Sequence, residues 1–290
     1  MKKFIILIPI YNDWESLIKL LNNISENIKH LKEIQFDCII VNDCSTIINP
    51  KIQIPSEINS IKIIHMRKNK GHARCNAFGI RYLSENSDFD YLILMDGDGE
   101  DRPEEIKLLV NKILLDPSKS VVAKRIKRSE GPVFQTLYRF HKYLTLLATG
   151  KLINFGNYSC LKKSDLNMLS TKASLWSSYS GSFKYNIEEY NEVNSIRGMR
   201  YFGPTQMSLF KLFIHSFSII AVFKYRLFFI SIAILASLHY IEIFIKFNFL
   251  LFQILTILFN ILIFIVSFRE NKKELENSKL DIASIEELTH

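Results

Sequence analysis

The sequence predicts an α/β domain built on a doubly wound sheet, followed by an amphipathic helix and a two-helix transmembrane hairpin. Three observations predict this architecture. Short apolar runs alternate with helical segments over the first 125 residues, acidic residues follow two of these runs, and residues 226–268 are almost wholly apolar. Alternating strands and helices are typical of a largely parallel sheet covered on both faces. The long apolar stretch is sufficient for two membrane spans.

The predicted strands are continuous apolar runs, as expected for strands buried on both faces of a sheet. The first run is too short for the hydrophobic region of a signal peptide, and Pro9 ends it. The predicted strands are Phe4–Ile8, Phe36–Val41, Ile61–His65, Tyr91–Met95, Ser120–Ala123 and Asn154–Leu161.

The helices are predicted from apolar residues at helical spacing. In the first helix, Leu17, Leu20, Leu21 and Ile24 share one face. A proline suits the first turn of the third helix. The predicted helices of this domain are Trp14–Ile28, Ala73–Ser84, Pro103–Leu115 and Phe134–Leu147. The segment Ser174–Ser182 is rich in serine and aromatic residues and is predicted to be a mobile loop.

The change in composition along the chain predicts four regions. They are a catalytic domain (1–204), an interfacial amphipathic helix (205–225), a transmembrane hairpin (226–268) and a cytoplasmic tail (269–290). The predicted spans are Leu227–Ile245, about 29 Å long as a helix, and Phe247–Phe268. A buried helical hairpin in a soluble core is the alternative.

Positive charge flanks both outer ends of the hairpin. Lys224 and Arg226 precede it, and Arg269, Lys272 and Lys273 follow it. Such a distribution predicts that both termini and the catalytic domain are cytoplasmic, on the inner (cytoplasmic) membrane.

The net charge and the cysteines restrict the class of protein further. The formal net charge of +8 suits membrane lipids or phosphorylated ligands, and no motif for nucleic-acid binding is present. Four cysteines without a C-x-x-C pair predict reduced thiols rather than a disulfide framework.

The sharpest chemical signal is Asp96-Gly97-Asp98-Gly99-Glu100, directly after a predicted strand. Alternating carboxylates suit Mg²⁺ or Mn²⁺, which often bridge a carboxylate and substrate phosphates. An acidic surface turn is the alternative. A calcium-binding EF-hand loop is excluded, because Asp101 and Lys107 occupy the positions that need glycine and glutamate.

Two further loops follow predicted strands. Asp43, in Asn42-Asp43-Cys44-Ser45, can accept hydrogen bonds from a base or ribose, although a turn or helix cap would use the same residues. Gly71 allows close backbone approach, and Lys70 can meet a phosphate. The glycine patterns of dehydrogenases and P-loop enzymes are absent. His65 and His72 are predicted to be polar packing residues.

Four ordered motifs together resemble the family 2 glycosyltransferases, most closely the branch of dolichyl-phosphate mannose synthase and bacterial polyprenyl-phosphate glycosyltransferases. The motifs are Ile8-Pro9-Ile10-Tyr11-Asn12-Asp13, Val41-Asn42-Asp43-Cys44-Ser45-Thr46, Asn69-x-Gly71 with Gly79, and Met95-Asp96-Gly97-Asp98-Gly99-Glu100-Asp101-x-Pro103-Glu104. The resemblance implies a GT-A fold and a nucleotide-diphosphate sugar donor.

The resemblance also implies roles for individual residues. Asp96 would lie near the diphosphate and sugar, Asp98 and Glu100 would bind the divalent metal, and Arg125 would contact phosphate. The residues that would bind the nucleotide sugar are Pro9, Tyr11, Asn12, Asp13, Asp43, Gly71 and Asp96.

The acceptor is less defined by the motifs. The lipid-phosphate branch often has R-x-x-G-x-S-K, whereas this chain has Arg200-Tyr201-Phe202-Gly203-Pro204-Thr205-Gln206, which keeps the arginine and loses the lysine. Arg200 is expected to bind the phosphate of a polyprenyl-phosphate acceptor in an inverting transfer. A hydroxyl on a lipid-linked or cell-surface glycan is the alternative acceptor. It would need a general base, for which Glu188 and Glu189 are the candidates.

Two other classes of protein stay open. A catalytically silent membrane scaffold would not need Asp96, Asp98 and Glu100. A sugar-phosphate nucleotidyltransferase would need a glycine-rich basic loop after the first strand, which Tyr11-Asn12-Asp13-Trp14 is not. For the predicted glycosyltransferase, membrane lipids and a second copy of the chain, in a homo-oligomer, are further candidate partners.

Overall fold

The computed structural model describes residues 1–86, 88–127, 143, 145–150, 152–204, 208–245 and 247–290. An eight-stranded sheet forms its centre, in the order β7-β5-β6-β4-β1-β2-β3-β8. The strands are β1 (Lys2–Ile10), β2 (Ile34–Asn42), β3 (Ser60–Met66), β4 (Tyr91–Leu94), β5 (Val121–Lys127), β6 (Ser159–Lys162), β7 (Asn191–Ile196) and β8 (Ile282–Thr289).

The sheet confirms the predicted fold class. Strands β1, β2, β3 and β4 are parallel, because β1 pairs with both β2 and β4, and β2 pairs with β3. Strand β6 runs antiparallel between β4 and β5, and β7 pairs in parallel with β5. The carboxyl ends of β1, β2, β4 and β5 therefore meet at one edge of the sheet, where ligands bind in open α/β folds.

Nine α-helices have defined bounds within the described residues, and residues 145–149 are helical as well. The nine are α1 (Trp14–Ile28), α2 (His72–Asn86), α3 (Ile106–Leu115), α4 (Lys163–Leu169), α5 (Tyr179–Asn186), α6 (Leu209–Ala221), α7 (Lys224–Ile245), α8 (Leu250–Ser267) and α9 (Lys272–Glu276). Helices α1 and α3 bury their apolar faces on one side of the sheet, and α2, α4 and α5 do so on the other. The predicted helix Phe134–Leu147 lies mostly outside the described residues.

The prediction of a mobile loop at Ser174–Ser182 is wrong. This segment forms a short 3₁₀ helix (Ala173–Trp176) and the start of α5, and Trp176 is only 2% exposed. The serines are compatible with burial because their hydroxyls bond locally. Ser178 caps α5 by accepting a hydrogen bond from the backbone amide of Gly181, and Ser174 bonds to Ser182. Predicted strand Asn154–Leu161 is also shorter, because pairing begins only at Ser159.

The predicted tail, residues 269–290, returns to the sheet. Within it, β8 pairs antiparallel with β3 and forms an edge of the sheet. Helix α9 packs on α2. Its Leu275 is fully buried in the second core, the apolar cluster between the sheet and helices α2, α4 and α5. The chain therefore leaves the α/β domain for the hairpin and then comes back to complete it.

Helices α7 and α8 are long and apolar enough to cross a membrane, and most of their large apolar side chains are exposed. The two helices contact each other, and Asn260 donates a hydrogen bond to Ser231 Oγ over 2.8 Å between them. A small apolar core that includes Ile220, Leu227 and Ile263 joins the hairpin to α6. Helix α6 begins later than predicted and ends before Val222, and it exposes Phe210 and Phe213.

Candidate active site

The acidic loop (residues 96–101) follows β4 at the carboxyl edge of the sheet. Two of its own hydrogen bonds shape it: the Asp96 amide donates to the Asp101 carboxylate over 2.9 Å, and the Glu100 amide donates to Asp98 over 3.0 Å. Gly99 has a φ of +88°, a conformation that favours glycine. A Cβ at this position would also lie 2.5 Å from the ring of Tyr201, so glycine allows that ring to pack on the loop.

A covering segment (residues 197–203) crosses the acidic loop after β7. The Gly198 amide donates to the Glu100 carbonyl over 2.8 Å, and the Tyr201 amide donates to the Asp98 carbonyl over 2.9 Å. The segment also brings two cations to the carboxylates. Arg197 pairs with Glu100, and Arg200 pairs with both Asp98 and Asp13.

These contacts place Arg200 on the predicted metal and donor carboxylates. Its assignment to the acceptor phosphate stays a prediction, and its ion pairs favour a role in ordering the acidic loop. Thr205 and Gln206, which carry the departure from the family motif, lie outside the described residues.

The close spacing and partial burial of the carboxylates in the acidic loop raise the pKa values of two of them. Burial and the charges of Asp96 and Glu100 together raise the pKa of Asp98 to about 6. Burial likewise raises the pKa of Asp101 to about 7, with Asp96 adding to the effect and Arg125 opposing it. A ligand that brings positive charge to this loop would therefore be stabilised by it.

His72, predicted to be a packing residue, contacts the predicted catalytic carboxylate. Its Nε2 lies 3.0 Å from Asp96 Oδ1, and the amide of Asn157 lies within hydrogen-bonding distance of both side chains. Desolvation alone would lower the pKa of His72, but the charge of Asp96 raises it. Burial alone would raise the pKa of Asp96, yet His72 and Asn157 hold it well below its ordinary value. The pair therefore favours an ionised Asp96 beside a protonated imidazole.

Arg125 reaches the acidic loop from β5. Its Nη2 lies 3.8 Å from Asp101 Oδ1, and its guanidinium packs against Gly156, where a Cβ would lie 2.6 Å from it. The structure thus brings Arg125 to the predicted site, where it is paired with a buried carboxylate.

The residues predicted to bind the nucleoside lie on the adjacent part of the same edge, after β1 and β2. Pro9 is in β1, and Tyr11 beyond it is exposed. The Asn12 side chain bonds to Thr46 and to the amide of Ile47, and so it fixes the loop after β2. Asp13 precedes α1 and pairs with Arg200.

Asp43 supports the loop that carries Gly71. Its two carboxylate oxygens accept hydrogen bonds from the amides of Lys70 and Gly71, each over 2.8 Å. The predicted contact between Lys70 and a phosphate competes with an existing interaction, since the ammonium pairs with Asp281 of the returning tail. Asn12 and Asp43 thus hold the loops of the predicted nucleoside site in place through hydrogen bonds within the protein.

The donor atoms of the acidic loop fit a hard divalent cation, because all of them are oxygens. No three His, Cys, Asp or Glu side chains of the described residues form a ready-made metal cluster. Mg²⁺ is usually bound by one or two carboxylates together with substrate phosphates, so the lack of a complete protein cage is compatible with a cation that arrives with its diphosphate.

The candidate general bases lie elsewhere. Glu189 pairs with Lys119 over 2.8 Å, and the register of β5 with β7 places Val121 beside Asn191 and Arg125 beside Ser195. Glu189 therefore lies beyond the amino end of β5, whereas Arg125 and the acidic loop lie toward its carboxyl end. Glu188 is its exposed neighbour. The structure does not bring either glutamate to the predicted site.

The chain was compared with protein families and with curated proteins. The family model described as "Glycosyl transferase family 2" matches residues 5–179. The undecaprenyl-phosphate 4-deoxy-4-formamido-L-arabinose transferase of Proteus mirabilis is 27% identical over 161 residues, covering 55% of this chain and 47% of that protein. The corresponding protein of Photorhabdus laumondii is 29% identical and is covered over 48% of its length. The chain thus spans about half the length of the curated relatives it matches.

The solved structures show the same fold at low identity. Glucosyl-3-phosphoglycerate synthase from Mycobacterium tuberculosis, crystallised with Mn²⁺, UDP-glucose and phosphoglyceric acid, superimposes with a TM-score of 0.53 and 16% identity. The match covers 78% of this chain and 79% of that one. A similarity at this identity identifies the fold alone.

Proposed function

Because the chain belongs to glycosyl transferase family 2, we propose that it transfers one sugar from a nucleotide-diphosphate sugar to a polyprenyl phosphate, with inversion at the anomeric carbon. One observation carries the proposal. The acidic loop contacts the first turn of α2 through Asp96 and His72, and the segment that returns from the apolar hairpin packs on the same helix. The two curated relatives are undecaprenyl-phosphate transferases by name, which supports the choice of acceptor.

The chemistry needs little beyond positioning and charge stabilisation. An oxygen of the acceptor phosphate attacks the anomeric carbon, and the bond from that carbon to the diphosphate breaks. The acceptor is already an anion, so no general base is required. A divalent cation such as Mg²⁺ or Mn²⁺, bound by Asp98 and Glu100, would offset the charge that develops on the departing diphosphate.

The chain's own residues order this site. The hydrogen bonds of Asn12 and Asp43 preset the loops on the nucleotide side. His72 keeps Asp96 ionised and oriented. The covering segment closes over the acidic loop through backbone hydrogen bonds, which limits the access of water that would otherwise hydrolyse the donor.

The direct test uses the purified full-length protein with radiolabelled UDP-, GDP- and dTDP-sugars. Undecaprenyl phosphate is the acceptor, and undecaprenol, which lacks the phosphate, is the matched control. We expect one donor to give a labelled product that partitions into organic solvent only with undecaprenyl phosphate. Equal transfer to undecaprenol would refute the phosphate acceptor, and no organic-soluble product with any donor would refute the proposal as a whole.

Replacement of Glu189 by glutamine is expected to leave the rate of transfer within about twofold of wild type, because its carboxylate pairs with Lys119 away from the acidic loop. Steady-state rates with both substrates saturating would measure this. A loss of transfer with unchanged nucleotide binding would restore the general-base hypothesis and a hydroxyl acceptor.

The membrane orientation is also part of the proposal. We propose that α7 and α8 form a transmembrane hairpin in the cytoplasmic membrane, with the catalytic domain and both termini in the cytoplasm and α6 lying on the bilayer. An impermeant maleimide applied to intact cells is expected to label Phe247→Cys, at the turn of the hairpin, and to leave exposed Lys273→Cys unlabelled. Labelling of Lys273→Cys and not of Phe247→Cys would show that the hairpin has the opposite orientation.

A further inference from the structure

Two arginines lie without an anionic partner where the apolar hairpin meets the catalytic domain. Arg74 is in the first turn of α2, and Arg269 follows the end of α8 by two residues. Neither side chain forms an ion pair or a hydrogen bond with any residue that the structure describes, and Nε of Arg269 is buried without an acceptor. Both side chains are half-buried. Because buried N–H groups ordinarily have acceptors, the unpaired Nε of Arg269 beside a second arginine without a partner indicates an anionic ligand.

The two arginines are close enough to repel each other. Burial lowers the pKa of Arg74 and the charge of Arg269 lowers it further, whereas the charges of Glu274 and Asp43 raise it by less. Burial also lowers the pKa of Arg269. They are brought together because α9, which begins three residues after Arg269, packs on α2 and buries Leu275. An anion between them would remove the repulsion and satisfy the free donors.

The nearby carboxylates are already engaged. Asp43 accepts from two backbone amides, and Glu274 accepts from the indole of Trp176 over 3.2 Å and lies 3.8 Å from Lys70. Glu270, which is adjacent to Arg269, pairs with Lys224 over 2.8 Å. These carboxylates reduce the local positive potential, but none of them accepts a hydrogen bond from the guanidinium groups of the arginine pair.

The arginine pair lies between the proposed donor site and the end of the hairpin where a lipid acceptor would lie. Arg74 is two residues from His72, which contacts Asp96 in the acidic loop. Arg269 stands just outside the apolar helix α8, at the level where a lipid phosphate would lie if its hydrocarbon chain were in the bilayer. The amino end of α2, which favours anions, lies at the same place.

We propose that Arg74 and Arg269 together bind the phosphate of the polyprenyl-phosphate acceptor and present it to the donor site; this assignment rests on the proposed function. Each planar guanidinium can offer two parallel N–H groups to a phosphate. Arg125 and Arg200, the arginines first assigned to phosphate, are paired instead with Asp101 and with Asp13 and Asp98. Arg74 and Arg269 have no such competing carboxylate contact among the described residues.

The test measures binding by the full-length protein in nanodiscs of neutral phosphatidylcholine, without any donor. The probes are undecaprenyl phosphate, undecaprenol and phosphatidylglycerol, and the variants are Arg74→Gln, Arg269→Gln and Lys272→Gln. The last is a matched control, because it removes one positive charge from the same segment at an exposed residue. Binding of UDP, GDP and dTDP and thermal denaturation of each variant check that the donor site and the fold are retained.

Each arginine variant is expected to weaken the binding of undecaprenyl phosphate at least about tenfold. The affinity for whichever of these nucleotides the wild type binds should change less than about twofold, and Lys272→Gln should bind all probes as wild type does. Arg74→Lys should recover part of the affinity, since it restores charge without the planar fork.

Three other outcomes overturn the assignment in distinguishable ways. Undecaprenyl phosphate bound equally well by wild type and both arginine variants would refute the site and leave the proposed function standing. A wild type that does not prefer undecaprenyl phosphate to undecaprenol would refute the proposed acceptor and the site with it. A parallel loss of phosphatidylglycerol binding would assign the arginines to general anionic lipids rather than to the acceptor.

Discussion

Replacement of Asp98 by asparagine is expected to lower the rate of sugar transfer at least about a hundredfold, with the fold retained. The amide keeps the shape of the side chain but lacks the charge that the proposed divalent cation needs. Because burial and two neighbouring carboxylates raise the pKa of Asp98 to about 6, loss of its charge relieves repulsion in the acidic loop. The midpoint of thermal denaturation should therefore be unchanged or higher.

The matched control is Glu104→Gln, which removes a more exposed carboxylate six residues further along the chain. It should transfer sugar at close to the wild-type rate. The wild-type enzyme should lose transfer in excess EDTA and regain it when Mg²⁺ or Mn²⁺ is added. Full activity of Asp98→Asn, or of the wild type in EDTA, would exclude the metal assignment.

Replacement of Trp176 by alanine is expected to lower the free energy of unfolding by about 3–5 kcal/mol. The indole is 2% exposed in the second core, and its Nε1 donates a hydrogen bond to Glu274 of α9. Its loss opens a cavity and also detaches the returning segment from the 3₁₀ helix on which it packs. The shift in the midpoint of urea denaturation, followed by circular dichroism in detergent, would measure the effect.

Leu115→Ala is the control for this substitution, because the leucine is 82% exposed at the end of α3. Its free energy of unfolding should stay within about 0.5 kcal/mol of wild type. If Trp176→Ala were equally mild, the segment would be loosely packed in solution, and the prediction of a mobile loop would be correct after all.

The fold was predictable where one local pattern decides the structure. Continuous apolar runs correctly located β1 to β4, since central strands of a parallel sheet are buried on both faces. Strand β8 lacks such a run, because an edge strand exposes most of its residues. Only Ile282 and Leu288 of this strand pack partly against the core. Short helices with serines bonded to one another also leave no periodic signal, which is why α5 was missed.

The carboxylates of the candidate site were predictable from the sequence, whereas the side chains that contact them were not. Strand ends followed by aspartates identify the acidic loop and Asp43 as neighbours on one edge. The contact of His72 with Asp96 depends on how α2 is placed against the loop before β6, and no motif encodes that distance. A histidine directly after the Gly71 turn, at the amino end of a predicted helix, was the only available signal.

The return of the chain to the sheet makes the apolar hairpin an insertion within the α/β domain rather than an appendage to it. During synthesis, the last strand emerges only after both apolar helices, so the β3 edge stays unpaired until the hairpin has been placed. A fragment ending near Lys224 would keep that edge open and would lack the Asp281 partner of Lys70. A water-soluble catalytic domain is better made by internal deletion, with a short linker joining the residues before Lys224 to those after Arg269.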